Sequence, residues 1–350
     1  MQENKTLKIG ITIGDMNGIG PEIILKTFAD HRMLEFCTPI IYASTRTLEF
    51  VKKHFKYKIE FNDIKSSTQA EHNKVNVVNC WSEAPRIEFG TKNKNIGKHA
   101  LISLKAATSD LKQNHVDAIV TAPINKECIQ SEDFNFPGHT DYLDKQIEGN
   151  ALMLMVSGKT RIGLLTDHIP INKVSENITQ ELVENKVNTI NKTLIEDFNI
   201  SRPKIAILGI NPHSGDDGLI GSEEKTILTP TLERLRDNDI LTFGPYSADS
   251  FFGSGEYESF DAIIAAYHDQ GLIPFKTLSF GQGVNFTAGL EKIRTSPDHG
   301  TAYSIAGKGV ADETSFKEAI FLAISTYKNR IEYQELVKGA LKKENLTKTK

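Results

Sequence analysis

The sequence predicts an α/β protein, a three-layer α/β/α arrangement around a mostly parallel sheet, divided over two domains. Three observations carry this. Short apolar runs without strict polar alternation recur along the chain, segments of helical period separate them, and 350 residues exceed the usual ~100–200 of one domain.

The candidate strands are KIGITI (8–13), PIIYA (39–43), VNVVN (75–79), DAIVT (117–121), ALMLMV (151–156), RIGLLT (161–166), KIAILGI (204–210) and DAIIAAY (261–267). Runs of this kind read as strands buried on both faces, which belong to parallel sheets covered by helices. Between them, 97–114 sets Leu101, Leu104, Ala107 and Leu111 on one stripe, and 179–198 does the same with Leu182, Val187, Ile190, Leu194 and Phe198. A further helix is expected from about Ser315, a residue suited to the N-cap, with Phe316, Ala319, Ile320, Ala323, Ile324 and Tyr327 facing inward. There is no internal repeat and no long Pro/Gly/Ser linker. The Lys-rich end, 342–350, lacks apolar anchors and reads as a frayed tail.

Composition narrows the function. With 39% hydrophobic and 25% charged residues the chain is ordinary for a globular protein, neither disordered nor fibrous. Forty-one Lys+Arg against 45 Asp+Glu leave a net charge of −4, which speaks against a nucleic-acid binder but lets a few local cations hold an anionic small molecule. Cys37, Cys80 and Cys128 have no CxxC spacing, so neither a disulfide framework nor a thiolate zinc site is supported. The N-terminus has no apolar signal region, and ALMLMV falls well short of the ~20 residues that span a bilayer. A cytoplasmic location without membrane contact is expected.

Three of the ten histidines follow buried-type strands: His168 after RIGLLT, His213 after KIAILGI and His268 after DAIIAAY. Ligands of open α/β sheets bind beyond the carboxyl ends of strands, so these imidazoles can converge although they lie 45 and 55 residues apart. Three neutral imidazoles leave a divalent ion its full charge and an open coordination position, the layout of a catalytic site. Taken singly, each is equally accounted for as a local hydrogen-bonding group at a strand end. Pro212 keeps Asn211 extended, so no helix starts before His213.

The stretch 273–312 carries Lys276, Asn285 and Arg294 among six glycines with little helical pattern before about 300. An ammonium, a guanidinium and an amide can grip a phosphate and a carboxylate, or simply decorate a loop. After DAIVT come Lys126 and then His139 and Thr140, which can serve a substrate, Thr140 also being placed to cap a helix starting near Asp141. The first loop, GDMNGIGPE (14–22), leads into a helix whose first turn begins at Pro21. It matches neither G-x-G-x-x-G nor the P-loop, and its glycines allow either close approach to a ligand or a tight turn.

In order along about residues 8–312, the strings GDMNGIGPE, TAPINK, FPGHTDY, TDHIP, GINPHSGDDG, YHDQGLIPFK, GQGVNFTAG and IRTSPDHGTAYSIAGKG resemble the 4-hydroxythreonine-4-phosphate dehydrogenase family of pyridoxal phosphate biosynthesis. The resemblance implies oxidation of 4-phosphohydroxy-L-threonine by NAD or NADP to 2-amino-3-oxo-4-(phosphooxy)butanoate, which decarboxylates to 3-amino-2-oxopropyl phosphate. It also implies a divalent metal (zinc, magnesium or cobalt) and a homodimer with its active site at the subunit interface. Carried over motif by motif, the metal ligands are His168, His213 and His268, and the substrate contacts are His139, Thr140, Lys276, Asn285 and Arg294. Asp249 and Asp269 are candidates for ligand orientation or proton handling, or else residues of solvated loops.

The family's fold is similar to that of isocitrate and isopropylmalate dehydrogenases, two domains flanking a cleft. HGTAYSIAGKGVAD (299–312) resembles their nucleotide-binding loop, which implies cofactor contacts at His299, Gly300, Thr301 and Ala302. The motif order then implies a first domain of 1–125 plus 296–350 and a second of 126–295. Two departures stand out: Asp15-Met16-Asn17 replaces a Pro-Ala pair of many relatives, and Pro274 is displaced by one place. The second is shared with relatives that resemble 4-phospho-D-threonate or 4-phospho-D-erythronate dehydrogenases, which form the alternative reading. Hydrolysis of a phosphorylated metabolite, or binding of one without chemistry, are the rivals outside the oxidoreductases.

Overall fold

The computed structural model describes residues 6–83 and 85–339, so the Lys-rich end lies outside the described residues. One sheet of twelve strands runs through them: β1 (Lys8–Thr12), β2 (Thr38–Ala43), β3 (Phe61–Ile64), β4 (Val75–Asn79), β5 (Ala118–Thr121), β6 (Gly149–Ser157), β7 (Thr160–Leu164), β8 (Lys204–Leu208), β9 (Leu241–Tyr246), β10 (Ala262–Ala265), β11 (Val284–Leu290) and β12 (Ile293–Pro297). Their order is β3-β4-β2-β1-β5-β12-β11-β6-β7-β10-β8-β9. Pairing is parallel except where β11 meets β12 and β6, and β6 meets β7. The fold class is the expected α/β one.

Alternate residues of each strand enter different cores, as the two-residue period of a pleated strand requires. On one face a continuous core runs across the whole sheet. It takes Ile9 and Ile11 of β1, Leu152 and Leu154 of β6 and Ile264 of β10, under the helices Gly20–Ala29, Gln180–Glu196 and Thr314–Gly339. On the other face the core is split. Ile40, Tyr42 and Ile119 pack beneath the helix Lys94–Lys112, while Met153, Met155, Leu164 and Ala265 pack beneath the helix His268–Leu278. Each fully buried Ile, Leu or Phe here stabilises the fold by roughly 1.5–3 kcal/mol. Between the two clusters lies a strip where β11 and β12 turn Asn285, Thr287, Arg294 and Ser296 to that face, and this gap is where the site forms.

All eight expected strands are present, with ends that differ by no more than two residues, β2 and β6 being longer than expected; β3, β9, β11 and β12 are additional. Reading 273–312 as mostly loop needs correction: Lys276 lies in the last turn of the helix His268–Leu278, Asn285 on β11 and Arg294 on β12. Pro274 inside that helix and the polar face of the two strands hide them from a pattern search. Two cap assignments also change. Thr140 is not a cap, because the helix His139–Gln146 has Gly138 at its N-cap. Ser315 is the second residue of its helix and donates instead to Gly283 O at 2.6 Å, while Asp312 accepts from Thr314 N at 2.9 Å. Among the described residues no helix is long and apolar enough to cross a membrane.

Candidate active site

Strands β7, β10 and β8 are parallel neighbours, so their carboxyl ends bring the loops of His168, His268 and His213 to one edge of the sheet. Next to them, in the gap of the split core, a cavity of about 300 Å³ is lined by His139, Thr140, His168, His268, Lys276, Asn285, Arg294, His299 and Gly300. Nine residues singled out in the sequence thus meet in one place. His213, Asp249, Asp269, Thr301 and Ala302 do not line it.

The rings of His168 and His268 face each other, their centroids 5.7 Å apart and their planes tilted by 45°. The Nδ1–H of His268 donates to Asp269 Oδ1 at 2.7 Å, which leaves Nε2 for a ligand. Burial, with the charge of Lys126 added, holds His168 below the usual imidazole pKa, so it too offers a neutral nitrogen. Such donors suit a divalent ion. Among the described residues, however, no group of three or more His, Cys, Asp or Glu is arranged to hold one. One chain supplies a pair, and the expected set of three is incomplete within it.

His213 stands apart because of its backbone. His213, Ser214, Gly215, Asp216 and Asp217 have φ between 44° and 81°, a left-handed turn that costs roughly 1 kcal/mol or more per non-glycine residue. A buried carboxylate holds it: Glu224 Oε1 accepts from the backbone N–H groups of Ile210 and Asn211, each at 2.7 Å, and Oε2 accepts from Asn211 Nδ2 at 2.9 Å. Asn211 is extended, as Pro212 requires. The exposed His213 lies near Asp249, helping to lower that carboxyl after the larger effect of the Ser247 hydroxyl, which donates at 2.6 Å. Asp249 and Asp269 line a neighbouring, largely apolar hollow with Phe252, Tyr267 and Ile273. Both sit on helices rather than in solvated loops.

The same cavity has a cationic wall of Arg294, Lys276 and Lys126. Arg294 is 2% exposed; its Nη2 and Nε donate to Thr121 Oγ1 at 2.7 and 3.1 Å, and Nη1 to Thr287 Oγ1 at 3.1 Å. Burial alone pushes this guanidinium down to about 9. Burial, then Arg294 and Lys126, keep His139 far below its ordinary pKa and therefore neutral. His139 Nε2, Asn285 Oδ1 and His299 Nε2 are buried without a hydrogen-bond partner, each belonging to a residue that lines the cavity. Buried polar atoms are rarely left so, and a ligand would satisfy them.

Sequence reasoning gave no role to Lys126, Asp167 and Asp298, which also line the cavity. Lys126 and Asp167 sit inside the TAPINK and TDHIP strings, so proximity to those motifs was an available signal. Thr121 and Thr287, which orient Arg294, lie inside the TAPINK and GQGVNFTAG strings too, but only the pairing of β5, β12 and β11 brings them to Arg294.

A family model described as "Pyridoxal phosphate biosynthetic protein PdxA" matches residues 35–323. A 4-hydroxythreonine-4-phosphate dehydrogenase of Bacteroides thetaiotaomicron is 47% identical over 332 residues, 94% of this chain and 91% of the relative. A D-threonate 4-phosphate dehydrogenase of Cupriavidus necator is 36% identical, covering 89% and 95% of the two chains. The crystal structure of 4-hydroxythreonine-4-phosphate dehydrogenase from Klebsiella pneumoniae superposes with a TM-score of 0.80 at 31% identity, over 93% of this chain and 99% of that one.

Proposed function

The chain belongs to the pyridoxal phosphate biosynthetic protein PdxA family, and on that premise we propose that it oxidises the secondary alcohol of 4-phosphohydroxy-L-threonine with NAD or NADP. The product, 2-amino-3-oxo-4-(phosphooxy)butanoate, loses its carboxylate as carbon dioxide to give 3-amino-2-oxopropyl phosphate. The carrying observation is Arg294, a buried guanidinium whose hydrogen-bond partners among the described residues are hydroxyls, at a cavity that Lys276 and Lys126 also line. A buried cation so placed is offset by a bound anion, and a phosphorylated acid brings two.

In this reading Arg294, Lys276 and Lys126 bind the phosphate and carboxylate, and Asn285 and neutral His139 fix the rest of the substrate. His168 and His268 hold a divalent ion, with Asp269 setting the tautomer of His268. When bound, a divalent metal would supply Lewis acidity and a nicotinamide would supply the hydride acceptor. The turn 299–302 receives the nucleotide, His299 Nε2 being a free donor or acceptor there.

The metal set is completed in a homodimer. Ile273, Leu278 and Phe280, at 63%, 48% and 92% exposure, form an apolar face on and just beyond the helix of His268, and a second copy covers it. Three free thiols suit a reducing cytoplasm.

The test is turnover, followed at 340 nm with metal and NAD supplied, of 4-phosphohydroxy-L-threonine against 4-phospho-D-threonate and 4-phospho-D-erythronate. Preference for the amino substrate is expected. Preference for either of the others would favour the second reading, which the Cupriavidus necator relative supports, and no reduced nicotinamide with any would overturn both.

A further inference from the structure

The first loop belongs to none of the roles above, yet two of its polar side chains are fully buried. Asp15 is 1% exposed and Asn17 is 0%. Asp15 Oδ1 accepts from Asn17 N at 2.9 Å, and Oδ2 accepts from the hydroxyl of Tyr303 at 2.6 Å, across 288 residues of sequence. Burial raises the Asp15 carboxyl and the Tyr303 phenol alike, the hydrogen bond from Tyr303 working against that rise at Asp15. Ile19 N donates to Thr301 O at 3.0 Å. The approach is close enough that a Cβ on Gly18 would sit 2.7 Å from that same oxygen.

Asn17 closes the opposite side. Its Nδ2 donates to Thr91 O at 3.0 Å and Thr91 Oγ1 at 3.1 Å, its Oδ1 accepts from Glu88 N at 2.9 Å, and its backbone oxygen accepts from Gly90 N at 2.8 Å. An alanine in place of Asn17 would have no amide for these contacts. The segment so pinned lies on the turn that follows Tyr303, where a Cβ on Gly307 would come within 2.8 Å of Phe89 and where His54 Nε2 meets Gly307 O at 2.8 Å. Within the clasped turn Ala302 has φ 45°, a left-handed conformation that an alanine holds only when its surroundings over-determine it.

We propose that Asp15 is a positioning residue for the nucleotide: through the hydroxyl of Tyr303 it holds the turn 299–303 in its binding shape before the nucleotide arrives. This rests on the reading that His299 to Ala302 receive NAD or NADP. A turn held in place spends no binding energy on being ordered, so cutting the tie weakens the nucleotide without touching the cationic wall.

The experiment is calorimetric titration of NAD into Tyr303→Phe, Asp15→Asn, the double variant and His299→Ala, with inorganic phosphate as a control ligand for the Arg294 site and a thermal melt for each. Tyr303→Phe is expected to raise the NAD Kd roughly tenfold, with phosphate binding within twofold of the parent. The double variant should lose no more than the worse single one, since both cut one link. If Asp15→Asn folds poorly, Tyr303→Phe alone decides. An unchanged NAD Kd in Tyr303→Phe, or a lowered melting temperature without a change in Kd, would overturn the positioning role. NAD binding unchanged in His299→Ala but weakened in Tyr303→Phe would overturn the assignment of His299 and leave the role of Asp15 standing.

Discussion

Arg294 Nη2 donates to Thr121 Oγ1 at 2.7 Å, the shortest contact of a guanidinium whose hydrogen-bond partners among the described residues are two threonine hydroxyls. A charge kept in this way costs stability in the empty protein and serves binding. Arg294→Met should therefore lower kcat/KM for the phosphorylated substrate at least ~100-fold while leaving the melting temperature unchanged or higher. Kinetics and a thermal melt check this; a melting temperature several degrees lower would mark Arg294 as structural.

His139 makes stability fall in acid. Its imidazole titrates near ~6.5 when unfolded and far lower when folded, where burial and then Arg294 and Lys126 oppose the charge. Below ~6.5 the unfolded chain binds a proton that the native one does not, so stability is complete above that pH and declines beneath it. Urea melts at pH 7 and pH 5 should show a smaller difference for His139→Gln than for the parent protein.

Separation of His213 from the His168 and His268 pair makes a prediction about assembly. In the proposed homodimer, His213→Ala and His268→Ala proteins should each be inactive. Dissociated and reassociated together, they should recover about one quarter of the parent activity, because half of the dimers are mixed and one of their two sites is intact. No recovery would mean that each subunit holds its own metal.

Glu224 organises the turn that carries His213, accepting hydrogen bonds from Ile210 and Asn211. Glu224→Gln keeps the volume but sets an amide N–H against one of these donors, and should cost on the order of 1–3 kcal/mol. Metal affinity, measured by titration with zinc, should fall with it, while phosphate binding at Arg294 stays unchanged. If zinc affinity holds despite the loss of stability, the turn does not present a metal ligand.

The sequence reached far into this site, for chemical reasons. His139, His168, His268, Lys276 and Asn285 are polar residues in turn-rich or glycine-rich surroundings between buried strands, and motifs of that kind are legible in one dimension. Arg294 was legible as a cation but not as a buried one, because a strand whose polar face meets a cavity has the same alternation as one whose polar face meets water. Thr121 and Thr287 lie inside quoted strings that do not reveal their role, and Glu224 lies outside all of them; each matters through a partner set by strand pairing or by a loop's path.

What the sequence by itself determined is the order of apolar runs and helical stripes, hence an α/β sheet, together with the residue types that can hold an anion and a metal. The tertiary structure alone decided that β11 and β12 fill the gap of a split core, that of the three strand-end histidines His168 and His268 line the cavity and His213 does not, and that Asp15 meets Tyr303. Periodicity is a property of neighbouring residues, whereas convergence depends on which distant strands pair and which way a turn winds, and the left-handed turn at His213 is fixed by a buried carboxylate eleven residues further along the chain.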